Sequence, residues 1–399
     1  MPDSRHPAPL QAADRLIGFN PFRVMTVLER AKALESQGRS IIHLEVGEPD
    51  FVTAEPIVEA GRAALASGHT AYTPAAGLPQ LREAIARHYR ARHGLDIPAS
   101  RIFVTPGASG ALSLLAQMLL NPGDAVLMTD PGYPCNRNYV RLAGAEAILV
   151  PVTAEDNYQL TPDLLTRHAT AQCRSVWLAS PSNPTGTVLD LPALRGIHDW
   201  CKRHSCHLLV DEIYHGLDYV GGLPSALQLG DDVLVVNSFS KYFGMTGWRL
   251  GWFVVPESLV GVSNILAQNL FIAASSVAQY AALCAFDADT QEIFESRRRE
   301  FAARRDFLTR VLCELGFRVP VDSQGAFYVY AGIEAFSADS ELFCRTLLED
   351  FGVATTPGTD FGEFESRRHV RFAFTTSMSQ LEEAARRLRA AVERGAFHA

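Results

Sequence analysis

Lys241 is the residue of this chain whose setting best suits covalent chemistry. It follows the apolar run Val233–Asn237 and the triplet Ser238-Phe239-Ser240, and glycines and a tryptophan surround it in place of carboxylates. A lysine in such a setting has a route to a lowered pKa and a nucleophilic amine. Asp211 ends the run His207–Val210, so its backbone is expected to be buried. A buried carboxylate needs a cationic or hydrogen-bonding partner, and a protonated heterocyclic nitrogen is one. Asn183 and Tyr214 offer donors, and Tyr133 offers an aromatic face. The small residues Gly107-Ala108-Ser109-Gly110 run into a helix start, where free N–H groups and the positive dipole end favour an anion. Arg249 could grip a phosphate through two parallel hydrogen bonds. Singly, the glycine loop reads as a tight turn and Arg249 as a strand-edge arginine. The loop is not a P-loop, because no lysine follows the glycines in that pattern.

The elements that must position these residues change that reading. Short apolar runs occur at 101–105, 125–129, 147–151, 175–179, 207–210, 233–237 and 250–255. They are rich in Leu and β-branched residues and mostly lack in-out alternation, as strands buried on both faces do. Helical stretches lie between them at 108–120, 133–142, 161–168 and 191–205. The alternation predicts an α/β fold with a seven-stranded, mainly parallel sheet between helices. In such sheets ligands bind beyond the carboxyl ends of the strands. The runs ending at 105, 129, 179, 210 and 237 are each followed by small, polar or reactive residues, which places the candidates together on one edge. From about residue 290 the texture changes to a long amphipathic helix (292–315), a strand (325–331), a helix (340–351), a strand (369–375) and a helix (380–395). This predicts a smaller α+β domain built from the two chain ends. The expected division is an N-terminal segment 1–48 packing with the small domain through a helix at 22–37, a large domain 49–290, and a small domain 291–399.

Composition bounds the function classes. Of 399 residues 47% are hydrophobic and 20% charged, enough apolar material for a large core. The balance of 36 basic against 44 acidic residues, with no basic stripe, argues against nucleic acid as a partner. The arginines at 297–299, 304 and 305 alternate with acids and read as a solvated helix face. No apolar run reaches the ~18 residues of a membrane span. Residues 1–15 hold Asp3, three prolines and no apolar core, which does not read as a signal peptide. Seven cysteines at irregular spacing do not form a disulfide pattern, so a cytoplasmic setting is expected. His198, Cys201, His204, Cys206 and His207 match no closed zinc pattern, and no metal is expected. Glu212 reads as structural, and Phe327, Tyr328 and Tyr330 as small-domain core.

An anion cradle, an amine nucleophile, a buried acid, a phenol, an amide and a stacking ring together describe a pocket for pyridoxal 5′-phosphate (PLP). The chain also resembles the class I/II aminotransferases, fold-type I PLP enzymes similar to aspartate aminotransferase. The motifs that carry the resemblance occur in order: Val46–Phe51 (VGEPDF), Tyr72-Thr73-Pro74 with Gly77, SNPTG at 182–186, DEIY at 211–214, SFSK at 238–241, GWRLGW at 247–252 and Arg371-Phe372-Ala373. The resemblance implies that Lys241 binds the cofactor covalently and then moves the substrate Cα proton. Asp211 would keep the pyridine nitrogen protonated, while Asn183 and Tyr214 bond its phenolic oxygen and Tyr133 stacks on the ring. Ala108, Ser109, Ser238, Ser240 and Arg249 would hold the phosphate, helped by Tyr72 of a neighbouring subunit in a homodimer with shared sites. Arg371 would clamp the substrate α-carboxylate with Asn183 and the Gly47 backbone. Position 108 is Ala where many relatives carry Gly, Ser or another polar residue; only its N–H is needed.

The reaction implied is transfer of an amino group from an L-amino acid to a 2-oxo acid by a ping-pong mechanism. Between Arg249 and Arg297 there is no Lys or Arg, whereas dicarboxylate-specific relatives take a cation for the side-chain carboxylate from about this region of the other subunit. A neutral aliphatic or aromatic donor is therefore expected, with Phe19, Asn20 and Phe22 shaping its pocket. The alternative is a PLP-dependent C–S β-lyase on the same fold. An oxidoreductase lacks its G-x-G-x-x-G fingerprint, and an aminotransferase-like regulator lacks a DNA-binding segment.

Overall fold

A computed structural model describes residues 11–397. The first ten residues, including Asp3 and the start of the predicted N-terminal segment, lie outside the described residues, as do the last two. The elements in chain order begin with α1 (Arg23–Ser36), β1 (Ile42–His43), α2 (Glu55–Ala66), α3 (Pro79–His93), β2 (Ile102–Thr105), α4 (Gly107–Leu119), β3 (Ala125–Asp130), α5 (Pro134–Leu142) and β4 (Glu146–Pro151). They continue with α6 (Pro162–His168), β5 (Cys173–Ala179), α7 (Leu191–Arg203), β6 (His207–Asp211), β7 (Leu234–Ser238), β8 (Gly251–Val254), α8 (Val260–Leu270) and α9 (Ser276–Ala282). The chain ends in α10 (Ala288–Glu314), β9 (Tyr328–Gly332), α11 (Ser340–Phe351), β10 (Val353–Ala354), β11 (Thr356–Pro357), β12 (His369–Ala373) and α12 (Met378–Glu393).

Among the described residues the large sheet has seven strands in the order β2-β8-β7-β6-β5-β3-β4. Only β8 runs against its neighbours; the other strands point one way. Strands β2, β7 and β8 are buried along their whole length, which is why their sequences show no alternation. The helices start where local chemistry allows. Thr161 caps α6 through the Leu164 N–H, and Asp190 caps α7 through the Ala193 N–H, each with a proline in the first turn. Gly94 ends α3 with φ +67°, a left-handed conformation that glycine adopts without strain. The core on one sheet face stacks Phe103 on Phe253. On the other, Trp252 donates to the Tyr89 hydroxyl at 3.1 Å, so its one polar group is satisfied in the interior.

The remaining strands form an antiparallel set, β11-β12-β9, and a parallel pair, β1-β10. The pairing of Ile42 with Val353 and His43 with Ala354 sews the first part of the chain to its last third. Arg30 of α1 also pairs with Glu349 of α11. Three differences from the sequence expectation have physical causes. Strand β9 starts at Tyr328, later than predicted, because Ala326 takes a left-handed φ of +58° that no strand accommodates. Helices α2, α3, α8 and α9 were not anticipated; α2 and α9 are alanine-rich, so they show few large apolar side chains, and they pack on each other. The arginine-rich face of α10 is not wholly solvated. Arg304 is buried, pairs with Asp50 at 2.8 Å and lies over the rings of Phe51 and Phe301. The loop after β1 folds down onto α10 and covers it.

Candidate active site

The parallel strands deliver their ends to one edge, and β8 returns to it. Gly251 pairs with Thr105 of β2 on one side and Ser238 of β7 on the other. Arg249, two residues earlier, therefore stands between the ends of those strands. It holds a left-handed φ of +54°, unusual for a residue with a side chain and a mark of a functional constraint. A Cβ at Gly107 would come within 2.7 Å of Arg249 Nη2, so the guanidinium lies against the first turn of α4. Pro106 at the start of that helix supplies no capping side chain. Exposed N–H groups and a guanidinium together make an anion cradle.

Asp211 is the last residue of β6, a central strand, and is 5% exposed. Its Oδ1 accepts the Ile213 N–H at 3.0 Å. Burial pushes its carboxyl up to about 7, against the pull of that hydrogen bond and of nearby Lys241. Lys241 Nζ donates to the Gly47 carbonyl at 2.6 Å. Desolvation lowers its amine to about 8; the charges of Arg371 and Arg249 push the same way, while Glu48 and Asp211 oppose them. Both groups thus approach the neutral range where proton transfer is facile.

Arg371, in β12, is 3% exposed. Its Nη1 donates to Asn183 Oδ1 at 2.9 Å, and its Nη2 to the Glu45 carbonyl and to Thr356 Oγ1. The guanidinium lies over the rings of Tyr328 at 4.2 Å and Phe361 at 4.7 Å. These hydrogen-bond partners are neutral, its Nε is buried without a partner, and among the described residues no carboxylate forms an ion pair with it, although its charge reaches the buried carboxyl of Asp360. A desolvated cation so arranged is suited to an anion from outside the chain.

These groups line one cavity of about 250 Å³. Of the predicted site residues it brings together Gly47, Ala108, Ser109, Tyr133, Asn183, Asp211, Tyr214, Ser240, Lys241, Arg249 and Arg371. Ser238 and Tyr72 do not line it. Ser238 is buried behind Ser240 and joins it through a 2.9 Å hydroxyl contact. Tyr72 is 81% exposed on the surface of the chain. Tyr328 corrects the sequence reading. It is buried as expected of core, yet it lines the cavity, and its hydroxyl meets that of Tyr214 at 2.9 Å. Its neighbours Phe327 and Tyr330 gave it the look of packing; strand alternation sets it apart from Phe327 and Val329 but puts Tyr330 on its own face, so only the hydroxyl contact with Tyr214 reveals it. Phe22, Val24 and Met25 also line the cavity, whereas Phe19 and Asn20 do not. Glu212 accepts from the Ser225 hydroxyl and the Ala226 N–H and anchors that loop. The His/Cys stretch disperses: His198 meets Asp232, and His204 stacks on Trp200.

The family model for aminotransferases of class I and II matches residues 39–388. The chain belongs to that family. It is 37% identical to the valine–pyruvate aminotransferase of Mycobacterium tuberculosis, across 93% of this chain and 96% of that protein. It is 33% identical to the aspartate aminotransferase of Geobacillus stearothermophilus, across 95% and 98%. Among solved structures, an aminotransferase from M. tuberculosis superposes with a TM-score of 0.93 at 37% identity, covering 96% of this chain and 99% of that one. The aspartate aminotransferase of Thermus thermophilus with maleate gives 0.90 at 34% identity, covering 96% and 99%. This aminotransferase is PLP-dependent, with the fold-type I architecture of those neighbours. The relatives named here are transaminases and lend no support to the C–S lyase alternative.

The residues of the aminotransferase site fit that cofactor. The cradle at Gly107 and Arg249 suits a phosphate, Lys241 is a desolvated amine, and Asp211 is a buried acid with a single hydrogen-bond donor. Their titration should be visible in cofactor-free protein. The raised pKa of Asp211 means that the folded state keeps a proton the unfolded chain releases, so its contribution to stability falls as pH rises from about 4 through about 7. Lys241 has the opposite sign: its lowered pKa makes stability rise with pH above about 8. Asp211→Asn in the cofactor-free aminotransferase is expected to gain on the order of 2 kcal/mol over the parent at pH 8, a gain that vanishes towards pH 4. Urea denaturation at several pH values reads this; a pH-independent difference would refute it.

Proposed function

We propose that this aminotransferase takes its amino group from a neutral aliphatic or aromatic L-amino acid and passes it to a 2-oxo acid in two half-reactions at one site. The observation that carries this reading is the cavity lining. Its cations are Lys241, Arg249 and Arg371, and no other Lys or Arg lines it among the described residues. Each has a task in the reaction common to all donors, so this chain's own lining leaves none for a side-chain carboxylate, and the stretch between Arg249 and Arg297 offers none from a second copy. The wall they leave open is apolar: Phe22, Val24, Met25 and Leu112. The name of the 37% identical relative, a valine–pyruvate aminotransferase, agrees with such a donor and suggests pyruvate as acceptor.

When bound, PLP supplies an aldehyde that condenses with amines and a protonated ring that accepts the electron pair left at a substrate Cα. The chain's residues do the rest. Gly107, Ala108 and Ser109 would offer N–H groups to the phosphate, with Ser240 and Arg249 beside them. Asp211 would pair with the ring nitrogen and so gain the partner its carboxyl lacks. Asn183 and Tyr214 would bond the phenolic oxygen, and Tyr133 would stack on the ring. Arg371 binds the α-carboxylate of the donor and fixes the direction of the Cα–H bond. Lys241 would hold the cofactor covalently at rest, and its Nζ would take the Cα proton of the donor. Its lowered pKa leaves a sizeable neutral fraction near pH 8 for that task. The acceptor binds through the same Arg371 and runs the transfer in reverse, which gives ping-pong kinetics.

The working form is a homodimer in this reading. Tyr72 lies outside its own cavity, and Leu65, Ile265, Leu270 and Ile272 are also exposed apolar residues. Covering them with a second copy accounts for their exposure and brings Tyr72 to the partner's phosphate. Sedimentation should return about twice the monomer mass; a monomer with full activity would remove Tyr72 from the site. Lys241→Ala is expected to lower transamination by about 10⁴-fold or more and to abolish the covalent absorbance signature of the bound cofactor; retained turnover would reject Lys241 as the base. Values of kcat/KM for valine, leucine, alanine and phenylalanine should exceed that for aspartate by about tenfold or more. An advantage for aspartate would overturn the neutral-donor reading.

A further inference from the structure

Helix α1 begins without a cap of its own. Phe22 occupies the N-cap position and has no side-chain acceptor for the first N–H groups. Small polar residues normally fill that role. Here the acceptor comes from the far end of the chain. Asp360 Oδ1 accepts the Arg23 N–H at 2.8 Å across 337 residues of sequence, and Oδ2 accepts the Val24 N–H at 3.4 Å. Asp360 is 4% exposed and sits in the single turn Gly358–Asp360 between β11 and β12. Its carbonyl accepts from Arg137 of α5 at 3.4 Å. One buried residue therefore contacts α1, the small β11-β12-β9 sheet's connecting turn and a helix of the large sheet.

What Asp360 holds is the side-chain wall of the cavity. The Phe22 ring meets the Tyr133 ring edge-on, at 88° and 6.3 Å between centroids. Phe22 lines both the inner cavity and an outer one of about 520 Å³ that Asp360 and Arg137 also line. It is a partition between the two. Val24 and Met25, on the first turn of the helix, extend the same wall. None of the three is fixed by a hydrogen bond of its own side chain, so their placement follows the helix start. A carboxylate at that start is also favoured by the helix dipole.

We propose that Asp360 is a positioning residue for donor selection: by capping α1 it sets Phe22, Val24 and Met25 against the donor's side chain. The proposal rests on the neutral-donor reading for the chemistry of the wall, but not for its test. Alanine barely reaches the wall, whereas valine and leucine meet it. Asp360→Ala should therefore lower kcat/KM for valine and leucine by about tenfold, chiefly through KM, and that for alanine by less than about threefold. The absorbance of the bound cofactor serves as a check on the site itself. An equal loss for all three donors would mean a merely structural role and overturn the proposal. If Asp360→Ala does not fold, Asp360→Asn is read by the same ratio. It loses the charge and one acceptor, and a smaller drop in the valine-to-alanine ratio is expected; an unchanged ratio overturns the proposal. Should the parent enzyme prefer aspartate, the neutral-donor reading falls, while the variant-to-parent ratio still judges Asp360.

Discussion

A carboxylate at the end of a central strand, with one N–H to bond, is the constraint on which the rest of the site depends. Asp211 pairs in register with Ala179 of β5 and Val236 of β7, so strands flank its backbone on both sides and fix the point at which its carboxyl meets the cavity. It cannot swing away, because its backbone belongs to the ladder. Ionised and alone, such a group is costly. The rise of its pKa to about 7 expresses that cost. A cationic ring nitrogen removes the penalty, and in doing so it keeps its own proton. The strain of the folded chain and the electronic demand of the cofactor are thus relieved by one contact.

The reversal of β8 does the corresponding work for the anion cradle. Had every strand run the same way, the residue before β8 would lie at the opposite edge of the sheet. Because β8 is inserted antiparallel between β2 and β7, Arg249 arrives beside the helix start that follows β2. The close fit has a residue requirement. A Cβ at Gly251 would stand 2.8 Å from the Ala108 nitrogen and 2.9 Å from the Asn237 carbonyl, so only glycine allows the strand to pass. The sheet therefore sets cradle and arginine at a fixed separation before any ligand is present, and such preorganisation is what electrostatic catalysis needs.

How much of this was legible depended on what kind of signal each residue left. Lys241, Asp211 and Asn183 follow uninterrupted apolar strands, and the strand-end rule alone assembles them. Tyr328 left no such mark, since a tyrosine between Phe327 and Val329 in a buried strand looks like packing until its hydroxyl partner is seen. Arg304 misled for the opposite reason: its helix alternates charges, and only the loop carrying Asp50 and Phe51 buries it. The apolar wall was half legible. Phe22 stood out in the N-terminal segment, but Val24 and Met25 read simply as a helix face, because nothing in residues 22–25 reveals that their cap lies at 360.

The two recognition tasks consequently fall to different parts of the chain. In the proposed reading Arg371 binds what all donors share, and its hydrogen-bond and stacking partners are neutral: an amide, a carbonyl, a hydroxyl and two aromatic rings. That shell leaves its charge for the α-carboxylate. In that reading the donor's side chain meets the start of α1, which lines the same cavity but lies outside the seven-stranded sheet. A change in α1 or in its remote cap alters which donor fits without moving Lys241 or Asp211. The reacting groups, by contrast, are locked into a ladder whose burial permits little variation. Chemistry resides in the rigid sheet and selectivity in the segment laid across it, and the hydrogen bonds at Asp360 are where the second is aligned to the first.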